Sequence, residues 1–514
     1  MTSTGDVTRR TFTTGALTFL ASPALTQTRA KGFSKYTVID LAQQLAAEAF
    51  DASVDKEPPQ LAQLSYDDYR NIRMRPEARI SLGQKFSLDL FHRGHLFAHK
   101  VTVHLLHEGQ IREILYQSRM FDFGGLHLGP LDRSIGFAGL RLRYPLNRPD
   151  VADKLSVFLG ASYFRFLGRG QRYGQSARAL GINAGLPGIT EEFPFFRSFW
   201  IEEAADETSS LIIHALLDSP SVTGAYRFEF FPGEETVVDV QSSLFPRVTL
   251  EQPAIAPITS MFLTGSQDRR MADDFRPEVH DTDGLHIVAD GKKVWLPLRN
   301  PTQSTVTHHA VTDLQKFSLL QRHRSFDDYQ DLEANYEKRP GYSIEPVGDW
   351  GRGALILSEL VTNTEIHDNI VVSFCPEKPL LAGERREYNY RLSTITHETS
   401  TLAITHRILT HDTDTGRLII ADFTGGDLSY WREALSDVTL NLHSDGVNAR
   451  SLDLNWNTHL NGIRARLFAA GPFAPEAKIN VTLLARGQPL SETLSLRLTS
   501  HAPPQELAEG RGVR

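Results

Sequence analysis

Apolar and polar positions alternate with period two along much of the chain. Phe86-Ser87-Leu88-Asp89-Leu90 and Val438-Thr439-Leu440-Asn441-Leu442 show it, as do Ser451-Leu452-Asp453-Leu454-Asn455-Trp456 and Leu494-Ser495-Leu496-Arg497-Leu498. Successive side chains of a strand point to opposite faces, so this pattern predicts half-buried β-strands. Turn residues punctuate the runs at Pro232-Gly233, Asp290-Gly291 and Asp445-Gly446. A helical period appears only near the start. Thr37 to about Phe50 predicts one helix, with Thr37 as its cap, Asp40 in its first turn, and Val38, Leu41 and Leu45 on one face. Ser65-Tyr66-Asp67-Asp68-Tyr69-Arg70 predicts a second, short capped turn. Many short strands with few helices predict an all-β sandwich architecture rather than alternating βαβ units.

At 514 residues the chain exceeds one ordinary hydrophobic core. A polar stretch, His397-Glu398-Thr399-Ser400-Thr401, separates two strand-rich segments. The roughly 100 residues after it suit an immunoglobulin-like β-sandwich. The expected organisation is a signal peptide and linker over 1–31, a large β-sandwich over 32–397, an immunoglobulin-like domain over 398–505 and a disordered tail over 506–514.

Composition narrows the function classes. Apolar residues make up 40% and charged residues 23%, a globular balance, and the formal net charge is −8. Phosphate-backbone binding needs clustered Lys and Arg, so no nucleic-acid partner is expected. No apolar run reaches the ~18 residues of a membrane span. Thr8-Arg9-Arg10-Thr11-Phe12 precedes a mild apolar stretch, Gly15 to Ala21, and the small residues Ser22-Pro23-Ala24. That order makes a secretory signal, and the paired arginines predict twin-arginine export to the periplasm. The single cysteine, Cys375, excludes an intrachain disulfide and reads as a small core residue.

Familiar catalytic signatures are missing: no His-Glu-x-x-His helix, no phosphate-cradling glycine loop, no Gly-x-Ser-x-Gly elbow. Asp281-x-Asp283-Gly284 matches only the first positions of a calcium loop, so neither a metal nor another cofactor is expected. What remains is aromatic residues alternating with charged and amide groups. One set holds Tyr163, Arg165, Tyr173 and Arg178; a second runs from Phe326 to Tyr336 and Arg339; a third holds Glu345 and Trp350. Sugar rings need flat apolar faces to lie on and planar donors and acceptors for their hydroxyls. Glycoside chemistry also needs two carboxyl groups, one protonated and one ionised. Two loops offer them: His280-Asp281-Thr282-Asp283, and Glu365-Ile366-His367-Asp368-Asn369 leading into a strand. His-Asp-Thr-Asp recurs at 411–414.

Further stretches carry a resemblance. They include Leu64 to Tyr69, Gly136-Phe137-Ala138-Gly139, Phe158 to Arg165, Glu192-Phe193-Pro194, Leu217 to Ser221 and Thr223 to Phe228. Ala256 to Phe262, Pro277 to Gly284, Lys338-Arg339-Pro340, Asp368-Asn369-Ile370-Val371 and Asp422 to Asp427 follow in order. In these the chain resembles the periplasmic glucans biosynthesis proteins (OpgG/OpgD, MdoG-like), grouped with the inverting β-1,2-glucanases. The resemblance implies a large galactose mutarotase-like β-sandwich carrying a long cleft, then a smaller immunoglobulin-like domain. It implies β-1,2-glucan chains as partners and admits a homodimer and contact with the inner-membrane glucan synthesis machinery. It assigns Asp368 as general acid, Asp281 as general base through a proton relay, and Tyr336 to the same site. Hydrolysis, transglycosylation to cyclic or branched products, and non-catalytic glucan binding for assembly stay open at this point. The second His-Asp-Thr-Asp copy stands where relatives carry a longer loop, and a hairpin turn is expected there. Ser343 and Cys375 stand where relatives often have Trp.

Overall fold

The computed structural model describes residues 32–34, 36–52, 57–204, 209–271 and 274–498; the expected signal peptide and tail lie outside these. The expected all-β fold is what the chain adopts, with short helices before the first strand and in the connections between strands. Two large sheets dominate. An 11-stranded sheet runs from Ile80–Ser81 through Ser87–Phe91, Gly139–Tyr144, Asp153–Leu159, Tyr163–Phe166 and Ser176–Arg178. It continues through Pro253–Ser260, Ile370–Pro376 and Gly353–Glu359 to its edge at Thr305–Val311. A 16-stranded sheet faces it and extends into the C-terminal residues, where Lys292–Pro297 pairs in parallel with Thr493–Arg497.

The period-two pattern decides which face is buried. Leu88, Leu90, Leu140, Leu142, Phe158, Phe164 and Phe166 point from the first sheet onto Phe199, Ile213, Phe228, Val240, Phe317 and Tyr342 of the second. A second core lies between the end of the 16-stranded sheet and a four-stranded sheet of Ile404–Thr413, Gly416–Thr424, Gly462–Ala470 and Asn448–Asn457. There Ile419, Ala421, Phe423, Ala465 and Leu467 meet Ile479, Val481, Leu483, Leu494 and Leu496.

Local expectations fared unevenly. Asp290-Gly291 forms a two-residue hairpin loop with both residues at positive φ, as its chemistry predicts. Ser65 caps Tyr66–Asn71 in a capping box with Asp68. The first helix is shorter than predicted, Thr37–Ala46, and Tyr36 rather than Thr37 is its N-cap, with no side-chain cap bond. Val38 and Ala42 form its buried stripe, and Leu41 is exposed.

Candidate active site

The site forms on the outer face of the 11-stranded sheet. Where Phe164 and Phe166 go into the core, the alternating Tyr163 and Arg165 go outward. Tyr163, Arg165, Tyr173, Ser176 and Asp368 line a hollow of about 560 Å³ together with Phe91 and Phe97. Arg165 Nε donates to Ser176 Oγ at 2.7 Å. Ser176 pairs across the sheet with Thr259, and Thr259 Oγ1 donates to Asp368 Oδ2 at 3.1 Å.

Asp368 sits at the mouth of the strand Ile370–Pro376, and its neighbour fixes it there. Asn369 Oδ1 accepts from the Phe262 N–H at 2.8 Å, while its Nδ2 donates to the Phe262 and Leu360 carbonyls at 3.0 Å each. Both groups of the amide are thus engaged, which pins the preceding residue. Asp368 is reached by solvent, yet the cleft walls crowd its carboxyl. The resulting loss of hydration raises its pKa; Arg165 pulls it down and the charge of Asp281 pushes it up.

Asp281 is only 3% exposed. Its N–H donates to the Met261 carbonyl at 2.8 Å, and the Arg339 guanidinium donates to its carboxylate. Arg339 lies over the Tyr336 ring at 4.2 Å. Tyr336 Oη in turn donates to Glu365 at 2.7 Å, and Arg276 donates to the same Glu365 at 2.7 Å. Gly174 closes against this chain: a Cβ there would stand 2.9 Å from Arg339 Cδ and 3.2 Å from Asp281 Cγ. No larger residue fits without moving the Arg339–Asp281 pair.

Other candidates have different places. Arg178 is buried, donates to Glu191 at 2.5 Å and lies 4.8 Å over Tyr163, so it supports that ring from behind. His280 is fully buried and meets Glu278 at 2.7 Å, and His323 Nδ1 meets the same Glu278 oxygen at 2.7 Å. Asp283 is also buried and accepts the Arg322 N–H at 3.0 Å. His280 and Asp283 therefore brace the base of the Asp281 loop; they do not face the cleft. The structure does not bring the third aromatic set to this cleft. Glu345 pairs with Lys316 at 2.7 Å on the far sheet. Trp350 packs on Phe374, Tyr388 and Tyr390, its indole N–H donating to Asn389 O at 2.9 Å. Glu345 was turned to the far sheet and Trp350, in the loop after that strand, was packed into the core, which adjacency in sequence did not reveal.

Two His/Glu groups have metal-ligand atoms within 4.8 Å of one another: Glu278, His280 and His323, and His286, Glu398 and Glu492. In the first, one carboxylate oxygen serves both imidazoles; in the second, Arg322 holds Glu398 at 2.8 Å and Glu492 at 2.6 Å. These groups already engage one another. Ser343 is buried and accepts from Ser318 Oγ at 2.9 Å; Cys375 is buried too, its thiol pushed up to about 11 by burial.

The residues missed from sequence are Thr259, Asn369, Arg276, Glu278 and His323. Thr259, Asn369 and Glu278 lie inside the stretches that carried the resemblance; Arg276 and His323 act through tertiary contacts that no spacing announces.

The sequence model described as "Periplasmic glucan biosynthesis protein, MdoG" matches residues 33–498. The chain belongs to this family. It is 41% identical over 487 residues to glucans biosynthesis protein G of Rhodopseudomonas palustris, covering 93% of this chain and 96% of that one. It is 47% identical over 364 residues to the protein of the same name from Shewanella frigidimarina, covering 70% of this chain and 65% of that one. The Vibrio cholerae counterpart is 46% identical over 365 residues, or 70% of this chain and 67% of its own. Against the Shewanella frigidimarina protein the match thus spans just under two thirds of the relative's length. Among solved structures, the sucrose-bound β-fructofuranosidase of Bombyx mori aligns over 90% of this chain and 92% of its own at 8% identity and a TM-score of 0.10, too low to bear on the fold. No helix among the described residues is long and apolar enough to cross a membrane.

Proposed function

We propose that this member of the glucan biosynthesis family is a periplasmic enzyme that cleaves β-1,2-linked glucan with inversion of anomeric configuration. One observation carries the reading: the Asp368 carboxyl, crowded by the cleft walls so that its pKa is raised, feels the charge of an arginine-held carboxylate, Asp281. Desolvation keeps a proton on Asp368 to higher pH than an ordinary aspartate would, which suits delivery to a leaving glycosidic oxygen. Asp281 is nearly enclosed, so a proton reaches it through an intervening water or substrate hydroxyl. Arg339 supplies its counter-charge and rests on the buried Tyr336 ring, while Tyr163 and Phe97 give the sugar rings apolar faces. In this scheme no side chain attacks the sugar, so the first product carries the α configuration.

The test is incubation of the protein with linear β-1,2-glucan, following chain length and anomeric configuration by NMR in the first minutes. Shorter chains with initial α-anomers are expected. Asp368→Asn and Asp281→Asn should each lower turnover by roughly 10²–10⁴-fold, the range for a positioned acid or base. An initial β-anomer overturns inversion. New linkages or rings without shortening indicate transfer to sugar. Full activity of Asp368→Asn removes the catalytic assignment.

A further inference from the structure

The hollow at Asp368 does not end at Tyr163. It runs into a second, of about 530 Å³, through the shared residues Phe91, Arg141, Lys154 and Leu159. Arg70, Arg73, Arg79, Arg141, Arg143 and Lys154 line this arm against one carboxylate, Asp89. Six cations stand together in a chain whose formal net charge is −8.

Strand register builds one wall of the arm, and the helix Tyr66–Asn71 and the strand Arg73–Met74 add Arg70 and Arg73. Asp89 lies opposite Arg141, but Arg143 lies opposite Lys154. Like charges directly opposite one another destabilise an antiparallel pair. Asp89 accepts from Arg79 at 3.0 Å and Arg143 at 2.6 Å, with Arg141 at 3.7 Å, and so offsets part of the charge. Neither Arg73 nor Lys154 has a carboxylate partner among the described residues. Arg141 lies 4.8 Å over the Phe91 ring, and its Nε is buried without a hydrogen-bond partner. The Tyr173 hydroxyl, beside it in the first hollow, is likewise buried and unpartnered. Lys154 is held below the ordinary lysine range by burial and by repulsion from Arg141, Arg143, Arg172 and Arg73. A neutral sugar relieves none of this repulsion, whereas an oxyanion relieves it and fits planar guanidinium donors.

We propose that this arm is a subsite for an oxyanion, a phosphate, sulfate or carboxylate, carried as a substituent on the glucan chain. The inference rests on the glucan-cleaving reading above. One outward row of side chains joins the two regions: Asp89, Arg141, Val157 and Arg165 are register partners across four adjacent strands. Ser176, Thr259 and Asp368 continue it by the contacts already given. At ~4.8 Å per strand, the row from Asp89 to Thr259 spans about 24 Å. The anion is therefore read at a distance from the linkage that is cut, and the arm selects which chains, or which stretches of a chain, enter.

Titration calorimetry on the Asp368→Asn protein tests this, using a linear β-1,2-gluco-oligosaccharide and the same oligosaccharide bearing one phosphate monoester. The phosphorylated ligand should bind roughly tenfold or more tightly at low salt, as fits at least one charge-assisted bond. That preference should collapse at about 0.5 M NaCl and in the Arg73→Ala/Lys154→Ala double variant. Arg73→Gln and Lys154→Gln singly, each reducing the preference, replace the double variant if it misfolds, and Asp281→Asn is the second inactive background. Equal affinity for the two oligosaccharides overturns the proposal. So does binding of inorganic phosphate without any gain for the phosphorylated oligosaccharide, which marks a site for a free ion. If the neutral oligosaccharide does not bind at all, the glucan reading itself falls, and this inference with it.

Discussion

Asp368 owes its character to what surrounds it rather than to its identity. The same aspartate in open water would have lost its proton well below neutral pH. Crowding by the cleft raises its pKa, and Arg165 opposes that. Replacing Arg165 by Gln removes a positive charge that favours the ionised form. The alkaline limb of the kcat/KM profile should then move to higher pH, while the acid limb stays where it is. A pH–rate series on the two proteins checks this, and a shift to lower pH would show that Arg165 does not act on the acid.

At the scale of the element, the short strand Val279–His280 and the loop after it are held from beneath. Glu278 is 4% exposed and carries both His280 and His323. Burial opposes its charge, but the two imidazole bonds outweigh it and hold the carboxyl below the usual range. Burial likewise lowers His323, and its bond to Glu278 outweighs that and raises it. Glu278→Gln should cost about 3–5 kcal/mol, the range for breaking a buried charged pair. The signs set the pH window. A depressed carboxylate stabilises above its unfolded pKa and loses that as pH falls; a raised histidine stabilises below about 6.5 and loses that as pH rises through its folded pKa. The wild-type advantage should therefore peak in mildly acidic solution and shrink on both sides, as urea melts over a pH series will show.

The second His-Asp-Thr-Asp copy belongs to another kind of element. His411, Asp412 and Thr413 end a strand, and Asp414-Thr415 turns it into Gly416–Thr424. Gly416 is needed for closeness, since a Cβ there would meet the Ala469 carbonyl oxygen at 2.0 Å. Asp412 is exposed and pairs across the hairpin with Arg417 at 2.5 Å. Asp412→Asn should change stability by under about 1 kcal/mol and leave turnover unaltered. Loss of turnover with an intact fold would show that the two copies share a role.

Across the whole molecule, buried charges tie the two cores together. Arg322 is 4% exposed at its side chain, lies 3.6 Å over Trp295, and donates to Glu398 and Glu492. Glu359, fully buried, holds both Arg299 and Arg497, joining the edge of the 11-stranded sheet to the last strand. Arg322→Ala leaves two buried carboxylates without their cation. It should lower stability by about 3–5 kcal/mol, and denaturation should split into two transitions as the cores uncouple. A single transition at the wild-type midpoint would show that the link is not needed.

The sequence by itself determined the fold class, because side-chain alternation and turn chemistry are local properties of the backbone. It also carried the two carboxyl loops, the hairpin at Asp290-Gly291 and the capping box at Ser65, each contained in a few adjacent residues. Its reach ended where partners are distant in the chain. Arg339 meets Asp281 across 58 positions and Thr259 meets Asp368 across 109. Glu345 and Trp350 looked like site residues beside Tyr342, but strand geometry turned Glu345 to the far surface and the loop after that strand packed Trp350 into the core. The basic arm was equally hidden, since Arg73, Arg141 and Lys154 share no motif: sheet register brings Arg141 and Lys154 together, and packing of a separate two-stranded sheet adds Arg73. Tertiary structure decided these points because charge and hydration act through space, and only folding sets which groups share a low-dielectric cleft.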